Sequence, residues 1–178
     1  MKSQNDVADK YNKDEIINRL LSHEVATVPT ETVEGYAVLF NDEIAIKKLM
    51  ELKSRGFESG KIFTLAPASK ESIKEFVIVS DVAKTIIDKY IPGEITIILP
   101  KNPNFKNYYF DHFNTIGIRI PDYQFLNEIM EVVGPIILTS ANPRGGTPKS
   151  ITGHLPSTVV DLTGKTPKII RQGNLKVI

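Results

Sequence analysis

The sequence predicts an α/β domain. Three observations carry that expectation. Several strand candidates are apolar from end to end ("IFTLAP", "ITIILP", "PIILTS"), as strands are when a sheet is covered on both faces. Stretches of helical periodicity alternate with them along the chain. And 178 residues with 41% hydrophobic content suffice for the core of one domain.

The elements follow in order. Residues 1–12 are polar and read as a flexible N-terminal segment, which leaves residues 13–178 as the domain. Asn12 or Asp14 caps a first helix that carries Ile16, Ile17, Leu20 and Leu21 on one face. "EVATV" is a short strand. Asn41 caps a second helix, with Ile44, Ala45, Lys48, Leu49 and Leu52 at helical spacing. "KSRGFESGK" is a charged, glycine-bearing loop, and "IFTLAP" is a strand ended by Pro67. Ser69 starts a helix through Phe76. Ser80 starts another, bearing Val82, Ala83, Ile86, Ile87 and Tyr90. "PGE" turns the chain into the strand "ITIILP", and "TIGIRIP" is the next. Residues 123–133 are helical, with Phe125, Leu126, Ile129, Met130 and Val133 inward. "PIILTSAN", "STVVDLTG" and "KIIRQG" close the chain as strands.

Composition excludes several classes. Lys and Arg number 22 against 21 Asp and Glu, so net charge argues for neither nucleic acid nor membrane. Cysteine is absent, which removes disulfides, iron–sulfur clusters and thiolate zinc sites. His23, His112 and His154 show no ligand spacing, so no metal site is expected. The opening "MKSQNDVADKYNKDE" has no apolar core of a secretory signal, and no apolar run reaches the roughly 18 residues that span a bilayer. A soluble, cytoplasmic protein is expected.

Polar groups collect at three strand ends, where α/β sheets bind ligands. "VPTETVEGYAVLF" crowds Thr30, Glu31, Thr32 and Glu34 between apolar runs. "KSRGFESGK" supplies Lys53, Arg55 and Lys61. Cations ending a helix also complement its dipole with no ligand at all. Three of them around a loop nevertheless suit a triphosphate, which needs neutralisation from several sides. "TSANPRGG" supplies Ser140 and Asn142, two residues apart and so on one side of an extended chain; a local Asx or Ser turn explains the same residues. "GGTPKS" ends like a phosphate-binding P-loop but has Pro148 where glycine is required, and proline has no N–H to offer.

"PTETVEGY", "LKSR", the lysine before "IFTL", "PGEITIILP", "TIGIRIP", "GPIILTSANPRG", "STVVDLTG" and "IIRQG" occur in that order. With that spacing, residues 14–173 resemble the YrdC/TsaC family of threonylcarbamoyl-AMP synthases. The resemblance implies a single domain with a twisted, mixed parallel and antiparallel sheet flanked by helices around a wide cleft. It implies synthesis of threonylcarbamoyl-AMP and pyrophosphate from L-threonine, bicarbonate or CO2, and ATP, with Mg2+ accompanying the ATP. Partner proteins would then move the threonylcarbamoyl group to the adenosine beside the anticodon of tRNA. By resemblance, Lys53, Arg55 and Lys61 are catalytic. Thr32, Arg119 and Ser157 bind threonine. Arg55, Lys61, Thr96, Ser140, Asn142 and Arg171 bind ATP. The resemblance leaves two other readings open. One is a non-catalytic member that binds nucleotide, double-stranded RNA or tRNA in translation or ribosome assembly. The other is a related carbamoyl-adenylate chemistry with another acceptor.

The chain departs from the family pattern in its cleft. Members carry Tyr or Phe where it has Glu34, and Leu or Val where it has Tyr36. Its loop after Arg55 reads Gly56 where Pro is usual and is two residues longer before Lys61. Arg144 replaces a small residue. The expectation is that Glu34 lies within reach of a cleft cation.

Overall fold

A computed structural model of the chain describes residues 10–142, 146 and 153–177; Arg144 and residues 1–9 lie outside them. The first helix, α1 (Lys13–Leu21), is capped by Asn12, whose side chain accepts from Glu15 N at 2.9 Å. Strands β1 (Ala26–Val28) and β2 (Gly35–Leu39) follow, then α2 (Glu43–Leu52). Asp42, not Asn41, caps α2: its Oδ1 accepts from Ala45 N at 3.0 Å. Both residues are cap formers, and hydrogen-bond geometry selects between neighbours where the sequence pattern does not. A 3-10 turn at Phe57–Ser59 lies in the charged loop before β3 (Thr64–Ala66). The helix expected from Ser69 is only α3 (Ile73–Phe76). The Ser69 and Ser72 side chains bind each other's backbone N–H groups and form a turn instead of a helical start. Ser80 caps α4 (Asp81–Tyr90) as expected, its side chain accepting from Ala83 N. Then come β4 (Ile95–Pro100), β5 (Thr115–Ile118), α5 (Gln124–Val133), β6 (Ile136–Ser140), β7 (Thr158–Asp161) and β8 (Lys168–Arg171).

The eight strands form one sheet in the order β1-β2-β6-β3-β5-β4-β7-β8. Only β3/β5 and β4/β7 pair in parallel, so the sheet is mixed. Alternation of side chains sorts the core by face. Ile137 points into a cluster with Val38, Leu65, Ile97 and Ile118, covered by α2, α3 and α4. Its neighbours Ile136 and Leu138 point the other way, with Ala37 and Ala66, into a cluster capped by Ile16 and Leu20 of α1 and Leu126, Ile129 and Met130 of α5. The apolar stripes are narrower than the spacing suggests: Leu21, Ile44 and Leu52 stand at stripe edges and are about half exposed.

Coverage of both faces holds for only part of the sheet. On the second face α1 and α5 cover β1, β2, β6 and β3 and stop there. Among the described residues no helix covers that face across β5, β4, β7 and β8, and Gly117, Thr96, Ile98, Val159 and Asp161 line a cleft. Apolar strands predict burial on both sides, but Thr96, Gly117 and Thr64 are small, and they make a floor instead of a second core layer.

Candidate functional site: a cationic cleft on the open sheet face

The cleft encloses about 680 Å³. It brings together Arg55, Lys61, Thr96, Arg119, Ser140, Ser157 and Arg171, which come from separate parts of the chain. Thr32, Lys53 and Asn142 are not among its lining residues. They stand behind the wall and hold it.

Lys53 and Arg55 diverge because α2 ends in a Schellman arrangement. Ser54 takes the left-handed conformation at φ 44°, Arg55 N donates to Met50 O at 2.9 Å, and Ser54 N donates to Glu51 O at 2.9 Å. Glycine is the usual residue at that position, so the pattern gives no warning of the reversal. Arg55 enters the cleft with its guanidinium 4.9 Å from the Phe63 ring centre. Lys53 turns toward β6. Its ammonium donates to Ser140 O at 2.8 Å, Asn142 O at 2.5 Å and more weakly Asn142 Oδ1 at 3.4 Å. The residue is only 3% exposed. Burial first, then the Arg55 charge, lowers its pKa from the ordinary lysine value. The ammonium expected on phosphate therefore clamps the turn that ends β6.

In that turn Ser140 Oγ donates to Asn142 Oδ1, while Asn142 Nδ2 donates to Gly146 O at 2.6 Å. Ser140 reaches the cleft and Asn142 ties the turn behind it.

The crowded stretch at residues 30–34 divides its labour. Thr30 Oγ1 accepts from Thr32 N and Val33 N, both at 3.2 Å, and donates to Val33 O at 2.7 Å. Thr32 is fully buried and accepts from Arg119 Nη2 at 2.8 Å. Glu31 pairs with Arg119 at 3.1 Å, with both side chains under one-tenth exposed. Glu31 also accepts from Asp122 N at 3.2 Å. These contacts of Arg119 are invisible in the sequence, since 87 residues separate it from Thr32 and Glu31 lies one further away. Glu34 lines the cleft, accepts from Tyr11 Oη at 2.5 Å and lies 3.7 Å from Lys10 Nζ, so a cation it reaches comes from the N-terminal segment.

On the far wall, Thr96 Oγ1 and Ser157 Oγ are 2.8 Å apart. Arg171 donates to Ser157 O through Nε at 3.0 Å and Nη2 at 2.8 Å, and its Nη2 also reaches Ser157 Oγ. The Arg171 pKa is lowered, first by burial of the guanidinium and then by the nearby Arg119 charge. The Arg55 charge thus bears on Lys53 and the Arg119 charge on Arg171, so positive charge gathers at one cleft and favours an anionic ligand there.

This geometry has the company of known relatives. A family model for Sua5, YciO and YrdC proteins, described as "Telomere recombination", matches residues 18–152. The chain belongs to that family. A relative from Methanocaldococcus jannaschii is 35% identical over 126 residues, which are 71% of this chain and 58% of its own. The chain thus spans little more than half of that relative's length. The threonylcarbamoyl-AMP synthase of Klebsiella pneumoniae is 31% identical over 140 residues, covering 76% of this chain and 73% of its own. The crystal structure of P. abyssi Sua5 complexed with L-threonine superposes with a TM-score of 0.78 at 22% identity, over 98% of this chain and 56% of that one.

Two positions in this Sua5/YciO/YrdC chain give direct tests. In the loop after Arg55, the Phe57 ring stacks on His112 at 3.7 Å and meets Tyr109 at 5.9 Å and Tyr108 at 6.1 Å. This aromatic packing anchors the loop between Arg55 and Lys61. Phe57→Ala is expected to weaken binding of inorganic pyrophosphate, a probe of the cationic cleft, about three- to tenfold, the scale of a lost aromatic pair, with little change in melting temperature; calorimetric titration and a thermal melt read both. Gly173 packs so closely that a Cβ there meets Pro156 O at 2.4 Å and Thr158 N at 2.8 Å. These are backbone atoms and cannot swing aside. Gly173→Ala is expected to displace Ser157, cost about 1–3 kcal/mol in stability and weaken pyrophosphate binding in the cleft, as urea unfolding and titration would show.

Proposed function

We propose that this chain makes threonylcarbamoyl-AMP and pyrophosphate from L-threonine, bicarbonate or CO2, and ATP. The observation that carries the reading is the convergence of Arg55, Lys61, Arg119 and Arg171 with the hydroxyls of Thr96, Ser140 and Ser157 on one open sheet face. The relatives support it through the synthase name of the Klebsiella protein and the L-threonine complex of the P. abyssi one.

The chemistry needs positioning and charge more than a nucleophile. Threonine's amine captures CO2 as a carbamate. A carbamate oxygen attacks the α-phosphorus of ATP, the bond to the β-phosphate bridging oxygen breaks, and pyrophosphate leaves. Two anions must approach each other, which is repulsive unless cations screen them. Arg55 and Lys61 neutralise the triphosphate and the leaving pyrophosphate, while Lys53 keeps the Ser140–Asn142 turn at the nucleotide. Arg119 and Ser157 hold threonine, with Thr32 fixing Arg119 from behind the wall; Thr96 and Arg171 complete the wall on the nucleotide side. Magnesium accompanying ATP would add charge neutralisation on the phosphates beside Arg55 and Lys61. The product passes to proteins that transfer the threonylcarbamoyl group to tRNA.

The test is incubation of the protein with threonine, bicarbonate and ATP. Pyrophosphate release together with an adenylate of the expected mass, both dependent on threonine, is the expected result. ATP binding without turnover would favour a nucleotide-binding member of the family, and turnover with another amine would name another acceptor.

A further inference from the structure

We propose that Tyr11 is a positioning residue for the cleft: with Lys10, it holds the Glu34 carboxylate against the N-terminal segment and out of the path of a polyphosphate. The inference rests on the functional reading above and concerns a residue outside the cleft wall.

Glu34 is a carboxylate in a cleft that also presents Arg55, Lys61, Arg119 and Arg171. Its side chain is 13% exposed, too buried for water to screen the charge fully. Its backbone belongs to the nucleotide side: Glu34 O accepts from Ala141 N at 2.8 Å, and the adjoining Gly35 pairs with Ser140. An anion at this place opposes the ligand the cleft is built for. The other lining carboxylate, Asp161, is restrained: its Oδ1 accepts from Thr163 N at 2.8 Å and Thr163 Oγ1 at 2.7 Å. Glu34 receives the equivalent restraint from outside. Tyr11 Oη donates to its Oε1 at 2.5 Å, and Lys10 Nζ lies 3.7 Å from the same oxygen. The donor is held firmly, because the Tyr11 ring packs against the α1/α5 core cluster and lies 6.5 Å from the Phe125 ring. A packed ring delivers one hydroxyl to one carboxylate oxygen, which fixes the direction of that carboxylate and spreads its charge. The residues just before α1 therefore set the electrostatics of a cleft they do not line.

The experiment is calorimetric titration of the full chain with ATP and, separately, with inorganic pyrophosphate, for the unaltered protein, Tyr11→Phe, Glu34→Gln and the double variant. Tyr11→Phe keeps the ring and removes only the donor. It is expected to weaken pyrophosphate binding about tenfold, the scale of a lost hydrogen bond to a charged group, with the deficit shrinking as salt is raised. In the Glu34→Gln background the same change is expected to matter by less than about twofold, because the two residues act through one interaction. Equal affinity of the unaltered protein and Tyr11→Phe overturns the inference, as does a deficit that persists in the Glu34→Gln background. A purely packing role for Tyr11 predicts one of those two results. Failure of the unaltered protein to bind ATP or pyrophosphate overturns the functional reading, and this inference with it.

Discussion

On the proposed function, Lys53→Ala is expected to lower threonine-dependent pyrophosphate release by about 10²–10³-fold, the scale of removing a group that organises a developing charge. Arg55→Ala is expected to do the same, but for a different reason that a second measurement separates. Lys53 is a buried ammonium whose donors go to Ser140 O and Asn142 O. Truncating it removes the charge and strands carbonyls beneath the β6 turn, at about 1–3 kcal/mol for each buried group left unsatisfied. Arg55 lines the cleft and rests on the Phe63 ring, a contact worth about 0.5–1 kcal/mol at most sites. Lys53→Ala should therefore melt clearly lower than the unaltered protein, and Arg55→Ala only slightly lower. Unchanged turnover in Arg55→Ala would remove the phosphate assignment. Unchanged turnover in Lys53→Ala would show that the turn holds its shape without the clamp.

Much of this fold was legible because its elements obey simple periods. The 3.6-residue spacing of Ile16 and Leu20, of Ala45 and Leu49, and of Leu126 and Ile129 places helices whose burial the structure bears out. Boundaries were less legible where neighbours compete: Asn41 and Asp42 are equal candidates, and only geometry selects Asp42. The turn of Ser69 and Ser72 looked like a helix start because the same side chains serve both purposes. The open sheet face was hidden because Thr96, Thr64 and Gly117 are ordinary strand residues; their smallness signals a floor only once no helix is seen to cover them. The resemblance pointed to these strand ends, and the cleft gathers seven of the residues it implicated. It could not say that Lys53 and Asn142 support the wall, since the direction of Lys53 depends on Ser54 adopting a positive φ. Nor does composition reveal that Glu31, one of four polar residues in a short stretch, has a partner in the strand extension after β5.

That partner carries the largest expected loss of stability. Arg119→Met should lower stability by about 3–5 kcal/mol, the range for breaking a buried ion pair on one side. For a chain of this length that means a melting temperature lower by roughly 6–20 °C. The methionine fills much of the volume of the arginine stem, so packing loss is small, and the cost arises from charge. Glu31 stays under one-tenth exposed and loses the guanidinium 3.1 Å away, while Thr32 Oγ1 loses its 2.8 Å donor. The control is the double variant Glu31→Gln/Arg119→Met, which removes both charges. A large part of the stability should return, because an amide is far cheaper to bury than a carboxylate without its cation. On the proposed function, threonine binding should not return, because Arg119 lines the cleft as well as bracing it. Thermal melts and threonine titrations on the three proteins read the two roles separately. If the double variant melts as low as Arg119→Met, the pair is not what the arginine stabilises. If it binds threonine as the unaltered protein does, Arg119 serves the fold and the ligand is held by other groups.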